Sequence, residues 1–186
     1  MSAHGPATPE NKRIAILISI LAALLAISET SGKSAQTTAL SHNIEASNLW
    51  AFFQAKTIRM TTLRTAAEGL ELDITPDLPP ARAETLKKRV DSWRATAQRY
   101  DTEPETGEGR QELAARAKAA EATRDRALSA YHQFEYASAA YQIAIVLASA
   151  AIITTVDALI WVSIGLSLVG FALSVLGWIA PTALHL

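Results

Sequence analysis

The 186-residue chain has no cysteine and carries no lysine or arginine beyond Arg126. The first absence removes disulfides, thiolate nucleophiles and cysteine-ligated zinc, and it leaves the redox compartment open. The second leaves a long C-terminal segment without a positive charge. Catalytic signatures are missing as well. There is no glycine-rich phosphate loop, no Gly-x-Ser-x-Gly elbow and no His-Glu-x-x-His, and two of the four histidines, His4 and His185, stand at the termini. A formal charge of −1 gives no whole-protein field that would gather nucleic acid or an acidic substrate. No enzymatic activity, cofactor or nucleic-acid partner is expected on these grounds.

What is present is a pair of apolar runs, Ala137 to Val156 and Ala158 to Ala180, separated only by Asp157. Each has roughly the 20 mostly apolar residues a helix needs to cross about 30 Å of hydrocarbon, so they read as two membrane spans joined by a tight turn. Asp157 is expected to stay hydrated there or to cap the last helix, with Ala158 as its first residue. A third run, Ile14 to Ser28, follows Lys12 and Arg13. At 1.5 Å per residue it reaches only about 22 Å, so crossing needs snorkelling of the two basic side chains. A cleavable signal peptide is the rival reading, supported by the small pair Ala26 and Ser28.

Nearly all remaining charge lies between these runs. Gln36 to Ala67 lacks glycine and proline and reads as one helix, with Leu40, Ile44, Ala51, Ala55, Ile58 and Thr62 as its inner stripe, widened by Trp50, Phe53 and Met60. Gly69, Pro76, Pro79 and Pro80 are expected to break it. Ala83, Leu86, Val90, Trp93, Ala97 and Tyr100 then alternate spacings of three and four, a coiled-coil seam. Asp101 to Gly109 is a turn. From Arg110 onward no breaker precedes the next apolar run, so Gly109 to Val156 is expected to be one helix, with Leu113, Ala117, Ala120, Ala127, Tyr131 and Phe134 facing inward. The reading is an all-α integral membrane protein with a tail over 1–12, spans at 13–30, 137–156 and 158–180, and a coiled-coil-like helical stalk at 31–136.

The stretch Asn43-Ile-Glu-Ala-Ser-Asn-Leu-Trp-Ala-Phe-Phe-Gln-Ala-Lys56, with Phe134-Glu-Tyr-Ala137 and Gln142-Ile-Ala-Ile-Val-Leu-Ala-Ser149 far downstream, resembles bacterial membrane proteins grouped as domain of unknown function 4337. The resemblance implies an uncleaved first span and three spans in all. It carries over neither an activity nor site residues.

Candidate functional residues follow from spacing. Small residues line each run: Ala15, Ser19, Ala22 and Ala26; Ala144, Ala148, Ala151 and Thr155; Ser163, Ser167, Gly170, Ser174 and Gly177. Such faces let helices approach closely, within one chain or between copies. His42 with Glu45 and His132 with Glu135 are candidates for a metal if the four converge, although surface pairs at this spacing usually make simple contacts. The basic helix Pro80 to Tyr100 is expected to pair with the acidic segments flanking it. Trp50, Phe53, Trp93 and Tyr131 are the expected packing anchors of the stalk. Lys12 and Arg13 point to a cytoplasmic N-terminus, hence a bacterial inner-membrane protein with a periplasmic stalk. The leading reading is a non-enzymatic membrane anchor whose stalk self-associates or docks a membrane-protein partner. The second is a small oligomeric channel or transport accessory formed by the spans.

Overall fold

The computed structural model describes residues 9–183, with side chains from Lys12 onward, so most of the expected tail, together with His4 and His185, lies outside the described residues. Four α-helices follow in order: α1 (Pro9–Leu72), α2 (Pro80–Asp101), α3 (Arg110–Thr154) and α4 (Asp157–Ile179). Among the described residues there is no strand. By length and composition α1, α3 and α4 are each able to cross a membrane. The chain divides into two compact units, one formed by residues up to Leu40 and from Thr123 onward, the other by Ser41–Ala122.

The first run and the helix after it are one element, not two, and helix α1 already begins inside the expected tail. Thr30 to Gln36 contains no proline, and its hydroxyls fold back onto the helix. Thr30 Oγ1 donates to the Ala26 carbonyl at 2.8 Å and Thr37 Oγ1 to that of Lys33 at 2.9 Å. Gly32 does not break the helix either; it is buried, and a Cβ there would lie in ordinary contact, 3.4 Å from Phe134 Cβ of α3. Gly69 is likewise helical and exposed; a lone glycine costs about 1 kcal/mol, which a long helix absorbs. The stop comes at Leu72, ahead of Pro76.

In the first unit α3 runs antiparallel to both α1 and α4. Leu21, Ala137, Tyr141 and Ala144 form its buried centre, with Leu17, Leu24, Leu166 and Leu173 packed around them. Ser28 Oγ donates to the Phe134 carbonyl at 3.0 Å, and Ser163 Oγ to that of Ala144 at 2.7 Å. Such hydroxyl-to-carbonyl bonds join helices where water is scarce. The α3–α4 turn is two residues long, and Thr155 takes φ 56° to make it. Asp157 is the first residue of α4 and not its cap; Val156 holds the cap position, with no side-chain bond to the helix.

The second unit packs α2 and the start of α3 on the middle of α1. The seam of α2 faces inward, with Val90 and Ala97 buried. The inner face of α3 is also as expected, Leu113, Ala117 and Ala120 being buried. The stripe expected to face inward on α1 points outward: Leu40 is 60% exposed, Ile44 53% and Ile58 67%. The inward positions are His42, Ala46, Leu49, Phe53, Lys56, Met60, Leu63, Ala67 and Leu70, again spaced by three and four. Arg94 donates twice to the Glu71 carboxylate, which holds the guanidinium above its ordinary pKa and ties α2 to the end of α1. Both groups are half exposed, so solvent and salt screen the pair.

A left-handed backbone costs a non-glycine residue roughly 1–2 kcal/mol. Thr155→Gly is therefore expected to raise the thermal stability of the detergent-solubilised protein by about 1 kcal/mol, and Thr155→Pro, whose φ is fixed near −65°, to lower it; a circular-dichroism melt reads both.

Candidate interaction surface

The small residues of α4 face α3 of the same chain. A Cβ on Gly170 would come within 3.0 Å of the Tyr141 ring and 3.2 Å of the Ala137 carbonyl, and one on Gly177 within 3.0 Å of the Phe134 ring. Ser174 and Tyr141 share a 3.4 Å contact between hydroxyls. Ser163 is buried, and half-buried Ser167 donates to its own helix at Ile164. These hydroxyls are thus occupied within the chain. On α3, Ala144, Ala148 and Ala151 are buried, while Thr155 is exposed.

The small stripe of α1 behaves differently. Ala15, Ser19, Ala22 and Ala26 are all exposed. Further along the same helix, Leu40, Ile44, Ala51, Ile58 and Thr62 are exposed too, with Ala55 half-buried. Both sets keep to steps of three, four and seven, so α1 leaves a stripe of small residues exposed within its apolar run and, in the second unit, an exposed stripe that includes Ile44 and Ile58. Sequence reasoning found these residues but assigned the second set to the wrong side. It centred on Leu40, Ile44 and Ile58, whereas the covered face runs through Leu49, Phe53, Lys56, Met60 and Ala67, of which it held only Phe53 and Met60, at its margin.

The aromatic anchors stay with the chain's own core. Trp50 and Phe53 meet edge-on at 5.3 Å between centroids and pack on Leu49, Leu113 and Ala117. Trp50 Nε1 donates to Glu121 Oε1 at 2.8 Å. Trp93 lies under the Arg89 guanidinium, and Tyr131 is tilted against His132. The metal arrangement is not formed. His42 Nδ1 meets only Glu45, at 3.0 Å, and His132 Nδ1 only Glu135, at 3.7 Å; among the described residues no three histidine, aspartate or glutamate side chains come together. The basic helix pairs with both flanking acidic segments, Arg94 with Glu71 and Arg99 with Glu103, while Lys88 pairs with Glu84 inside the helix itself.

Sequence reasoning missed Lys56, which is only 6% exposed. Its ammonium lies 5.4 Å from the Phe52 ring centroid and 5.1 Å from that of Tyr100. Glu103 at 3.8 Å and Glu108 at 4.0 Å are close enough for charge attraction but not for a hydrogen bond. Ring faces and carboxylates together offset the cost of removing the charge from water. Glu103 is itself held by Arg99, whose donation to Oε1 at 2.9 Å is the main reason its pKa lies below the ordinary carboxylate value. The only advance sign was a lysine at an inward step of the helix.

Gly109 packs against this network. A Cβ on it would collide with the Glu112 carboxylate and the Glu103 amide, and would meet the Thr102 carbonyl carbon at 2.9 Å. Because Glu103 keeps Arg99 as a partner, Lys56→Met is expected to cost only about 1 kcal/mol. Lys56→Glu, which places a third carboxylate beside Glu103 and Glu108, is expected to cost about 3–5 kcal/mol. The stabilisation from the depressed Glu103 is present above the ordinary carboxylate pKa and fades as pH falls through the lower, folded value. Melting temperature should therefore drop below about pH 4, and less so in Arg99→Met; calorimetry across pH checks both.

No curated protein and no solved structure matches the chain significantly. A family profile does, over residues 10–180, and its description is "Domain of unknown function (DUF4337)". That match spans all four helices and most of the sequence, so the chain belongs to the DUF4337 family.

Proposed function

We propose that this is a non-enzymatic membrane-anchored interaction protein that self-associates through the outward face of α1. The observation that carries the reading is that face itself. Ile44 and Ile58, more than half exposed, stand outside the apolar runs where lipid would cover them. Exposed aliphatic side chains repeated along a helix at steps of three, four and seven suit pairing with a like face. Two copies in one membrane share one topology, so their α1 helices run parallel and a two-fold axis brings each residue of the stripe near its counterpart. Within the span, the exposed Ala15, Ser19, Ala22 and Ala26 allow the same close approach. The channel alternative is less well supported, since the serine hydroxyls of α4 already bond inside the chain.

The orientation we favour has the N-terminus of α1 and the α3–α4 turn on the cytoplasmic side of a bacterial inner membrane. The antiparallel packing of α1 on α3 supports a shared end for Lys12, Arg13 and the turn. Those are the only basic residues there, and positive charge favours the cytoplasm. The packing of Leu21 and Ser28 into the core favours a first span that is retained.

Sedimentation equilibrium of the full chain in density-matched detergent tests the association. Wild type is expected to form a dimer, and Ile44→Asp with Ile58→Asp to be monomeric with unchanged helicity; a strictly monomeric wild type overturns the proposal. Protease added to spheroplasts is expected to cut the loop between Leu72 and Pro80, whereas cutting only after lysis would reverse the orientation.

A further inference from the structure

The helices able to cross a membrane are not apolar over the same height. On α1 the apolar run from Ile14 to Ser28 is closed by Arg13 at one end and by exposed Glu29 at the other. Glu29 follows Arg13 by 16 residues, about 24 Å along a helix. Helix α4 carries no charge from Ala158 to Ile179, about 33 Å. A hydrocarbon layer of about 30 Å is therefore matched by α4 and overshoots α1.

Contacts on α3 show which end takes up the difference. Ser28 Oγ donates to the Phe134 carbonyl, and a Cβ on Gly177 would meet the Phe134 ring. Near the height of Phe134, α1 presents exposed Glu29 and α3 exposed Glu135, while α4 still presents exposed, apolar Trp178. On the α1–α3 face polar groups reach deeper still. Gln142 is exposed on α3, 7 residues beyond Glu135, about 10 Å further into the apolar run. Its Nε2 donates to Glu29 at 3.4 Å, which draws the carboxylate inward along the face. Lys12 and Arg13 have stems long enough to snorkel at the opposite end, whereas Glu29 and Gln142 do not. Hydrocarbon around an exposed carboxylate is costly, so lipid must give way at this end. A bilayer meets an apolar run that is too short by thinning. We propose that the α1–α3 face thins the leaflet at the Glu29 end of α1 and fits short acyl chains there, while α4, on the other side of α3, is met by lipid of ordinary thickness. The proposal rests on α1, α3 and α4 crossing a membrane but not on self-association.

The test reconstitutes the full chain in phosphatidylcholine vesicles with acyl chains of about fourteen to twenty-two carbons. Melting temperature is expected to be highest with sixteen carbons or fewer. Glu29→Leu combined with Gln142→Leu, which extends the apolar face, should move that maximum toward longer chains by two carbons or more. A wild-type maximum at eighteen carbons or more, no dependence on chain length, or an unmoved maximum in the variant overturns the proposal. Nitroxide labels on single cysteines then locate the thinning. Exposed Ile27 on α1 and exposed Phe171 on α4 stand at one height, because Ser28 meets the Phe134 carbonyl and a Cβ on Gly170 would meet that of Ala137. The ratio of oxygen to water-soluble nickel-chelate accessibility should be at least threefold lower at Ile27→Cys than at Phe171→Cys; equal ratios overturn the proposal. Tilting of the whole bundle would lift Ile27 and sink Ile16, so an Ile16→Cys label deeper than the one at Phe171→Cys also overturns it. A chain that does not enter vesicles overturns the membrane reading and this inference with it, an outcome separate from insertion with a long-chain maximum.

Discussion

The first unit depends on two positions where α4 has no side chain. At Gly170 and Gly177 its backbone lies against the rings of Tyr141 and Phe134, close enough that even a methyl group would press on them. Between helices able to cross a membrane, where lipid would offer no hydrophobic reason to associate, contact of this kind supplies attraction. Seating Tyr141 and Phe134 in this way also fixes the other side of α3. There the Phe134 carbonyl accepts from Ser28, and Tyr141 packs with Leu21. The rotation of α1 about its own axis follows from those contacts. So does the outward direction of Ala15, Ser19, Ala22 and Ala26.

The second unit is governed by a charge in place of a small face. Burying Lys56 obliges its surroundings to supply compensating groups, and they come from three elements: Phe52 on α1, Tyr100 on α2, and Glu103 and Glu108 in the loop that follows. A one-residue slip of α1 would carry the ammonium away from Tyr100, Glu103 and Glu108 together, at a cost of several kcal/mol. A buried ion of this sort adds little net stability but penalises alternative registers strongly. In a seam otherwise rich in alanine, where sliding costs little, that penalty is useful.

Much of this was legible in the sequence. The length of the apolar runs gave the three candidate spans, the lack of a breaker after Gly109 gave the continuity of α3, and the alternation from Ala83 to Tyr100 gave the buried face of α2. What escaped was the rotation of α1. Both of its faces carry steps of three and four, and periodicity alone does not say which one is covered. The stripe of Leu40, Ile44 and Ile58 lacks a charge and was the natural choice, but the chain covers the face that carries Lys56 among Leu49, Phe53 and Met60, where Tyr100 and the loop glutamates receive it. Small residues showed that α4 packs closely without naming its partner, since Gly170 and Gly177 serve an intrachain ring and a second copy equally well.

The absence of cysteine makes the central claim directly measurable in native membranes. Single cysteines at Ala22, Ile44 and Ile58 on the outward face of α1, and at Ala46 on its covered face, can be oxidised without background from other thiols. Parallel pairing of two copies predicts rapid disulfide dimers at the three outward positions and none at Ala46. Absence of dimers at Ile44 and Ile58, or equal yields at Ala46, would contradict it.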